Sequence, residues 1–399
     1  MTTMEAMEAT TTEVTEKLSK LEMQDVMATA LAGITPRDPE NHPLRLFERA
    51  KKEGRILFVQ GPMVRYSKLP FRSLMRDYAV DLCYTPMILA KEFVRSNFAR
   101  NSDFTTSSSI PFRQGVFPVI PADTPLIVQF GASNALDFAR AAEMVAPYCD
   151  GVNLNCGCPQ SWAISEGVGC ALMRKPELVA EMVREAKKRT GNGFSVSVKM
   201  RIHADLEETK RWVQIVEAAG PDYITVHGRT RNMRSSEPVK LDGVKLVKET
   251  ASCPVVENGD VFSLEDVDRI VKETGVDGVM AARGLLTNPA LFAGFKKTPW
   301  GAVERFIAYN MQQPIPFRLA QHHIIEMMEN LIPKKDRSAI YEAAGTMVEM
   351  LDYLDERFVI KRPGEDGFGE AVEVQWQRGW RGVNERVETT AEETEKSEL

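Results

Sequence analysis

Residues 125–159, PLIVQFGASNALDFARAAEMVAPYCDGVNLNCGCP, hold the unit from which the fold is read. PLIVQFGA (125–132) is a nearly unbroken apolar run that ends at a glycine-bearing corner. ALDFARAAEMVAPY (135–148) places apolar residues at i, i+3/i+4 and i+7, the spacing of an amphipathic helix. GVNLNCGCP (151–159) is a second short run with an abrupt corner of its own. Strands without polar alternation are the mark of a parallel sheet covered on both faces by helices.

The same phase recurs in RILFVQGPM (55–63), DLCYTPM (81–87), FSVSVKMR (194–201), DYITVHGR (222–229), CPVVENGD (253–260) and DGVMAARG (277–284). With the two runs above they number eight, and helical stretches such as PELVAEMVREAKKRT (176–190) fill the intervals. Eight strand–helix units predict a TIM (β/α)8 barrel over residues 51–298. The competing α/β architecture is a doubly wound open sheet, but no G-x-G-x-x-G follows the first strand. Region 92–124, rich in Ser, Thr and Pro, interrupts the rhythm and predicts a long surface loop. After residue 299 the strands stop. VERFIAYNM, FRLAQHHIIEMMENLI and AIYEAAGTMVEMLDYLDERF predict three helices of a small C-terminal helical domain over 299–360, with their Met and aromatic stripes as its core.

The 399 residues are 43% hydrophobic and 27% charged, the composition of an ordinary soluble protein. No apolar run approaches the roughly 18–20 residues that span a bilayer. The start, MTTMEAMEATTTEVTEKLSK, lacks the basic-then-apolar pattern of a secretory signal, and its acidity argues against a mitochondrial transit peptide. Six cysteines over this length form no disulfide framework, so a reducing compartment, cytoplasm or nucleus, is expected. Net charge is −6, which alone disfavours a general polyanion binder. Much of that acidity lies in EAMEATTTEVTE and NERVETTAEETEKSEL, within segments 1–50 and 361–399 that read as disordered. The body between them is close to neutral, so charge neither demands nor forbids nucleic acid.

In a barrel the C-terminal ends of the strands form the catalytic face. Those ends carry Gln129, Asn153, Asn155, Lys199, Arg201, His227, Arg229, Asn258, Asp260 and Arg283. Paired carboxylates, a Ser–His–Asp pattern and metal-ligand spacing are all missing from the set, so hydrolysis is poorly supported. ENGDV and AARGLLTNP are glycine-bearing corners where a barrel often binds phosphate. Glycine admits close backbone approach, and a helix start adds a favourable dipole. A phosphate-bearing cofactor is the functional reading there; two ordinary turns are the alternative. Of the two thiols at the 151–160 corner, Cys158 precedes Pro159, which restricts its backbone, whereas Cys156 sits nearer the strand body. A free thiol, with a pKa near 8.5, is mostly protonated at neutral pH and able to donate a proton.

GPMVRYSKLPFR (61–72), VNLNCGCPQ (152–160), VSVKMRI (196–202), ITVHGRT (224–230), ENGDV (257–261) and GVMAARGLLTNPALF (278–292) together resemble the signature set of tRNA dihydrouridine synthases. The resemblance is greatest to the eukaryotic type that acts on uridines 20a and 20b. It implies FMN at the barrel mouth, with Pro62, Met63 and Val64 along the flavin, Gln129 on its pyrimidine side, and Lys199 and His227 on the flavin and its ribityl chain. Asn258, Gly259, Asp260, Ala282 and Arg283 would cradle the phosphate; many relatives have glycine where this chain has Ala282. Cys158 maps to the proton-donating cysteine, NADPH (or NADH) is the implied reductant, and tRNA the implied partner. Asn153, Asn155, Arg201, Arg229 and Arg231 are expected to meet the substrate, with Arg234 beyond them. Lys334, Lys335 and Arg337 of the helical domain are expected to complete the RNA surface. No obligate protein partner is implied. Two rivals are a different flavin barrel acting on a small molecule, which would ignore tRNA, and a tRNA-binding protein that has lost catalysis, which would purify without flavin.

Overall fold

A computed structural model describes residues 37–106 and 123–372. Most of both acidic tails lies outside these residues, as does the 107–122 part of the Ser/Thr/Pro-rich 92–124 region, whose described start holds a helix at Asn97–Asp103 where a loop was expected.

The strands are β1 (Leu57–Gln60), β2 (Cys83–Tyr84), β3 (Ile88–Leu89), β4 (Leu126–Gly131), β5 (Gly151–Asn155), β6 (Ser195–Arg201), β7 (Ile224–His227), β8 (Val255–Asn258) and β9 (Gly278–Ala281). Every pairing is parallel, in the order β1-β9-β8-β7-β6-β5-β4-β2 with β3 also on β4. A parallel bridge between Val59 and Leu82 joins the two ends of that order into a ring. The nine strands make eight staves of a TIM barrel. DLCYTPM, one run in sequence, forms the start of the broken stave β2–β3 because Pro86 removes a ladder donor at the bend.

Alternation along each stave sorts the core into an outer shell and an inner column. Val128, Phe130, Val152, Leu154, Val196 and Val198 face outward into the shell packed by the helices. Leu57, Val59, Leu82, Tyr84, Ile127, Tyr223, Val256 and Met280 form the inner column. Its lower end is closed by a helix, Pro43–Lys52, whose Leu46, Phe47 and Ala50 join the same cluster. Phe47 packs edge-on against Tyr223 with ring centroids 5.6 Å apart. The expectation of disorder through residue 50 is therefore corrected. Acidity averaged over the tail hides an apolar stripe at 46, 47 and 50, capped by His42 and started by Pro43.

Among the described residues four α-helices, not three, follow the barrel: Trp300–Gln312, Phe317–Met327, Lys334–Ala343 and Met347–Asp355. The third expected helix breaks at Gly345–Thr346. There Thr346 Oγ1 accepts from Glu349 N at 3.2 Å while Glu349 Oε2 accepts from Thr346 N at 3.1 Å, a reciprocal cap that starts a new helix. The folded part also runs past residue 360. Trp300 stacks on Phe358 at 4.6 Å, and buried Glu304 accepts from the N–H groups of Lys361 and Gly369, each at 2.9 Å. The domain docks on the barrel through Tyr309 Oη, 3.0 Å from Asp77, and His323 Nε2, 3.1 Å from Tyr66 O. Among the described residues no helix is long and apolar enough to cross a membrane.

Candidate active site

Above the apolar column the inward register turns polar. Ladder partners set the heights: Gln129 lies beside Asn153, Asn155 beside Lys199, Arg201 beside His227, and His227 beside Asn258. These side chains share one face because strand residues two apart point the same way. All of them but Asn153 bound a cavity of about 200 Å³ at the C-terminal mouth of the barrel. Pro62, Val64, Gln129, Asn155, Cys158, Lys199, Arg201, His227, Asn258 and Ala282 all line it. A second cavity of about 90 Å³ adjoins it, sharing His227, Asn258 and Ala282 and adding Gly259, Asp260 and Arg283.

The two thiols separate cleanly. Cys156 is fully buried in the outer shell, where burial pushes its thiol well above the usual range. Cys158 is partly exposed and lines the cavity. Its corner is tied down from three directions. Asn155 Oδ1 accepts from Gly157 N at 3.0 Å and from Cys158 N at 2.9 Å. Arg201 Nε donates to Gly157 O at 2.8 Å, and Cys170 N donates to Cys158 O at 2.9 Å. Gly169, with φ +62°, leaves that approach open: a Cβ there would fall 2.6 Å from Cys158 O.

The cations of the site are held in unlike states. Lys199 is half-buried, and desolvation followed by repulsion from Arg201 pulls its pKa down to about 7. Its Nζ donates to Asn258 Oδ1 at 2.7 Å. Burial, with Lys199 next in weight, lowers His227 to about 2, so the ring is neutral. Arg229 Nη1 lies 3.1 Å from His227 Nε2; a guanidinium only donates, so Nε2 is the acceptor and Nδ1 carries the hydrogen.

Two residues expected to meet the substrate are enclosed by protein. Asn153 is fully buried beneath the cavity, accepting from Gln129 Nε2 at 2.9 Å and donating to Ser197 Oγ at 2.9 Å. Arg229 is 2% exposed and closed in by Asp260, Glu237 O, Ser235 O and His227. Both build the walls. Met63 packs against the core instead of lining the cavity. Gln129 is itself engaged, accepting from Asn155 Nδ2 at 2.8 Å. Arg231 and Arg234 are exposed beyond the rim, as are Lys334 and Lys335, whereas Arg337 is partly buried with Nη1 3.8 Å from Glu329. Reasoning from strand ends missed Met87 and Phe262, which line the two cavities. Each sits one step past a corner, at the close of DLCYTPM and directly after ENGDV.

This arrangement offers one partly exposed thiol on the wall of a cavity that also carries Lys199 and Arg201, with no nucleophile–base pair beside it among the described residues. Residues 59–381 match the family described as Dihydrouridine synthase (Dus). The chain is 44% identical over 364 residues to the tRNA-dihydrouridine(20a/20b) synthase [NAD(P)+] of Saccharomyces cerevisiae, covering 90% of this chain and 94% of that one. It is 47% identical over 336 residues to the Schizosaccharomyces pombe protein of the same name, covering 84% and 98%. It is also 42% identical over 337 residues to the human tRNA-dihydrouridine(20a/20b) synthase [NAD(P)+]-like protein, covering 84% and 99%. The chain belongs to the dihydrouridine synthase family.

Proposed function

We propose that this chain reduces uridine to 5,6-dihydrouridine in the D-loop of tRNA, at positions 20a and 20b, using FMN and NADPH, in the cytoplasm or nucleus where tRNA is found. The observation that carries the reading is a single partly exposed thiol, Cys158, on a cavity otherwise walled by Lys199, His227, Asn155 and Asn258. The names of the relatives above supply the substrate.

The residues present fit FMN. The wider cavity offers amide and ammonium groups to a polar ring system, and the narrower one offers Arg283 and two glycine corners to a phosphate. Gly259 sits at φ +141°, and a Cβ there would run into Val239 and lie 3.2 Å from His227 Cδ2. A Cβ at Gly284 would run into Val261 O. Pro62, Val64, Gln129, Lys199 and His227 would hold the ring and ribityl chain; Asn258, Gly259, Asp260, Ala282 and Arg283 would hold the phosphate end, with Met63 supporting its neighbours from behind.

When bound and reduced by NADPH, FMN would supply the hydride equivalent that the electron-poor C6 end of the uracil C5=C6 bond accepts. The protein must then deliver a proton to C5, and the Cys158 thiol does so. Asn155 fixes the backbone that carries it. Arg201, anchored on Gly157 O and, at 2.9 Å, on Thr230 O, stands beside the acid and neutralises charge on the bound nucleotide. Because the reacting atoms lie inside a mouth lined by strand ends, the uridine must leave the tRNA stack to reach them. Arg231, Lys334 and Lys335 provide local basic charge for the phosphates outside, which suffices for an acidic chain to bind RNA.

The test is direct. Purified protein should be yellow and release FMN on denaturation. With NADPH it should form dihydrouridine at 20a and 20b in tRNA from cells lacking this activity. Flavin-free protein, or tRNA left unmodified at both positions, refutes the reading.

A further inference from the structure

Next to ENGDV, Phe262 leaves 46% of its surface exposed and lines the narrower cavity. Water alone does not favour a phenyl ring there. The Arg283 guanidinium lies over that ring, 5.3 Å from its centroid. Arg283 is half exposed, and its Nη2 has only two long contacts, Asp260 Oδ1 at 3.2 Å and Ser235 O at 3.3 Å. Asp260 is already paired with the sealed Arg229. Among the described residues, Nε and Nη1 of Arg283 meet no protein acceptor, leaving donors of the guanidinium fork for a ligand. The ring itself is fixed at its root. Phe262 N donates to Asp266 Oδ2 at 3.1 Å, and the next residue, Ser263, caps the helix Leu264–Thr274.

We propose that Phe262 is a positioning residue for the anionic end of the cofactor: its ring holds Arg283 over the narrow cavity so that the guanidinium meets a phosphate. This rests on the FMN reading above. A long, solvated arginine loses rotamer freedom when it binds, and a ring beneath it removes part of that cost in advance.

The test separates phosphate from ring. Full-length protein, freed of flavin, is titrated with FMN and with riboflavin, which lacks the phosphate, and binding is followed by quenching of flavin fluorescence. Phe262→Ala should weaken FMN about two- to fivefold, the size of an exposed cation–π contact, and leave riboflavin unchanged. Phe262→Tyr should keep the FMN-to-riboflavin ratio of the parent. Equal weakening of both flavins by Phe262→Ala, or no weakening of FMN, overturns the assignment. So does Phe262→Leu that keeps the full ratio, because volume without a π face would then suffice. If the unmodified chain binds neither flavin, the FMN reading itself falls, a result distinct from a lost phosphate preference.

Discussion

The thiols at 156 and 158 should exchange phenotypes when each is truncated to alanine. Cys156 is fully buried among outer-shell residues, so Cys156→Ala removes a packed sulfur and leaves a void. Loss of one buried group of this size costs about 1 kcal/mol. In a chain this long that is a fall of roughly 2–4 °C in melting temperature. Cys158 is partly exposed at the cavity, and the bonds that fix its corner run through its backbone N–H and C=O, which alanine keeps. Cys158→Ala should therefore melt with the parent and retain its flavin. Its tRNA turnover should drop by roughly 10²–10⁴, the share a positioned general acid contributes. At 1.36 kcal/mol per tenfold step, that is about 3–5 kcal/mol of transition-state stabilisation. Two assays read the pair: thermal melting of the holoprotein, and NADPH oxidation with tRNA checked by dihydrouridine content. A Cys156→Ala protein with normal melting and collapsed turnover would refute the assignment. So would a Cys158→Ala protein that keeps a tenth or more of the parent rate.

Gly169→Ala should displace the acid without touching it, since its Cβ would fall 2.6 Å from Cys158 O at φ +62°; at a strain cost of about 1–2 kcal/mol, tRNA turnover falls while flavin content stays, and unchanged turnover would contradict the packing. Lys334→Glu with Lys335→Glu should weaken tRNA binding and flatten its salt dependence while NADPH-driven flavin reduction proceeds at the parent rate; equal loss of both would speak against a separate RNA surface. Lys199, lowered to about 7 in the fold, is protonated up to its ordinary value of 10.5 when unfolded, so the unfolded chain holds the extra proton between those values. Flavin-free protein should thus gain stability from Lys199 as pH rises from about 7 to 10, seen in melts of the parent and absent from Lys199→Met.

How far the site was legible follows from what a period of two encodes. Inward phase is visible in sequence, and it is the phase that Gln129, Asn155, Lys199, His227 and Asn258 share. Depth along the stave is not visible. Asn153 shares the phase of Asn155 but lies one layer lower, where the cavity has closed. Arg229 lies beyond the end of β7, and its direction depends on Glu237 O and Asp260, which the chain supplies from 8 and 31 residues away. The second thiol follows the same rule in reverse: Cys156 continues the outward phase of Leu154, so its burial was implied by parity. The reciprocal cap at Thr346 was also written in the sequence, as T-x-x-E within GTMVEM, and longer helical periodicity on both sides masked it. The Pro43–Lys52 helix was obscured by an acidic average instead.

The acid and the cofactor wall are not independent features, because one carboxamide serves both. Asn155 Oδ1 gathers the N–H groups of Gly157 and Cys158, while its Nδ2 donates to Gln129 Oε1, and Gln129 passes the constraint to Asn153 and Ser197. Four side chains from three adjacent strands thus form a buried amide relay under the cavity floor. An amide is needed at 155 because only it presents an acceptor to the turn and a donor to Gln129 at once. Aspartate there would keep the turn and set a carboxylate oxygen against the Gln129 carbonyl; alanine would lose both ends and leave the Cys158 N–H without its acceptor. The corner that carries the thiol is therefore rigid for the same reason that the wall beside it is, and the sharp turn after β5 is an extension of the barrel's own hydrogen bonding.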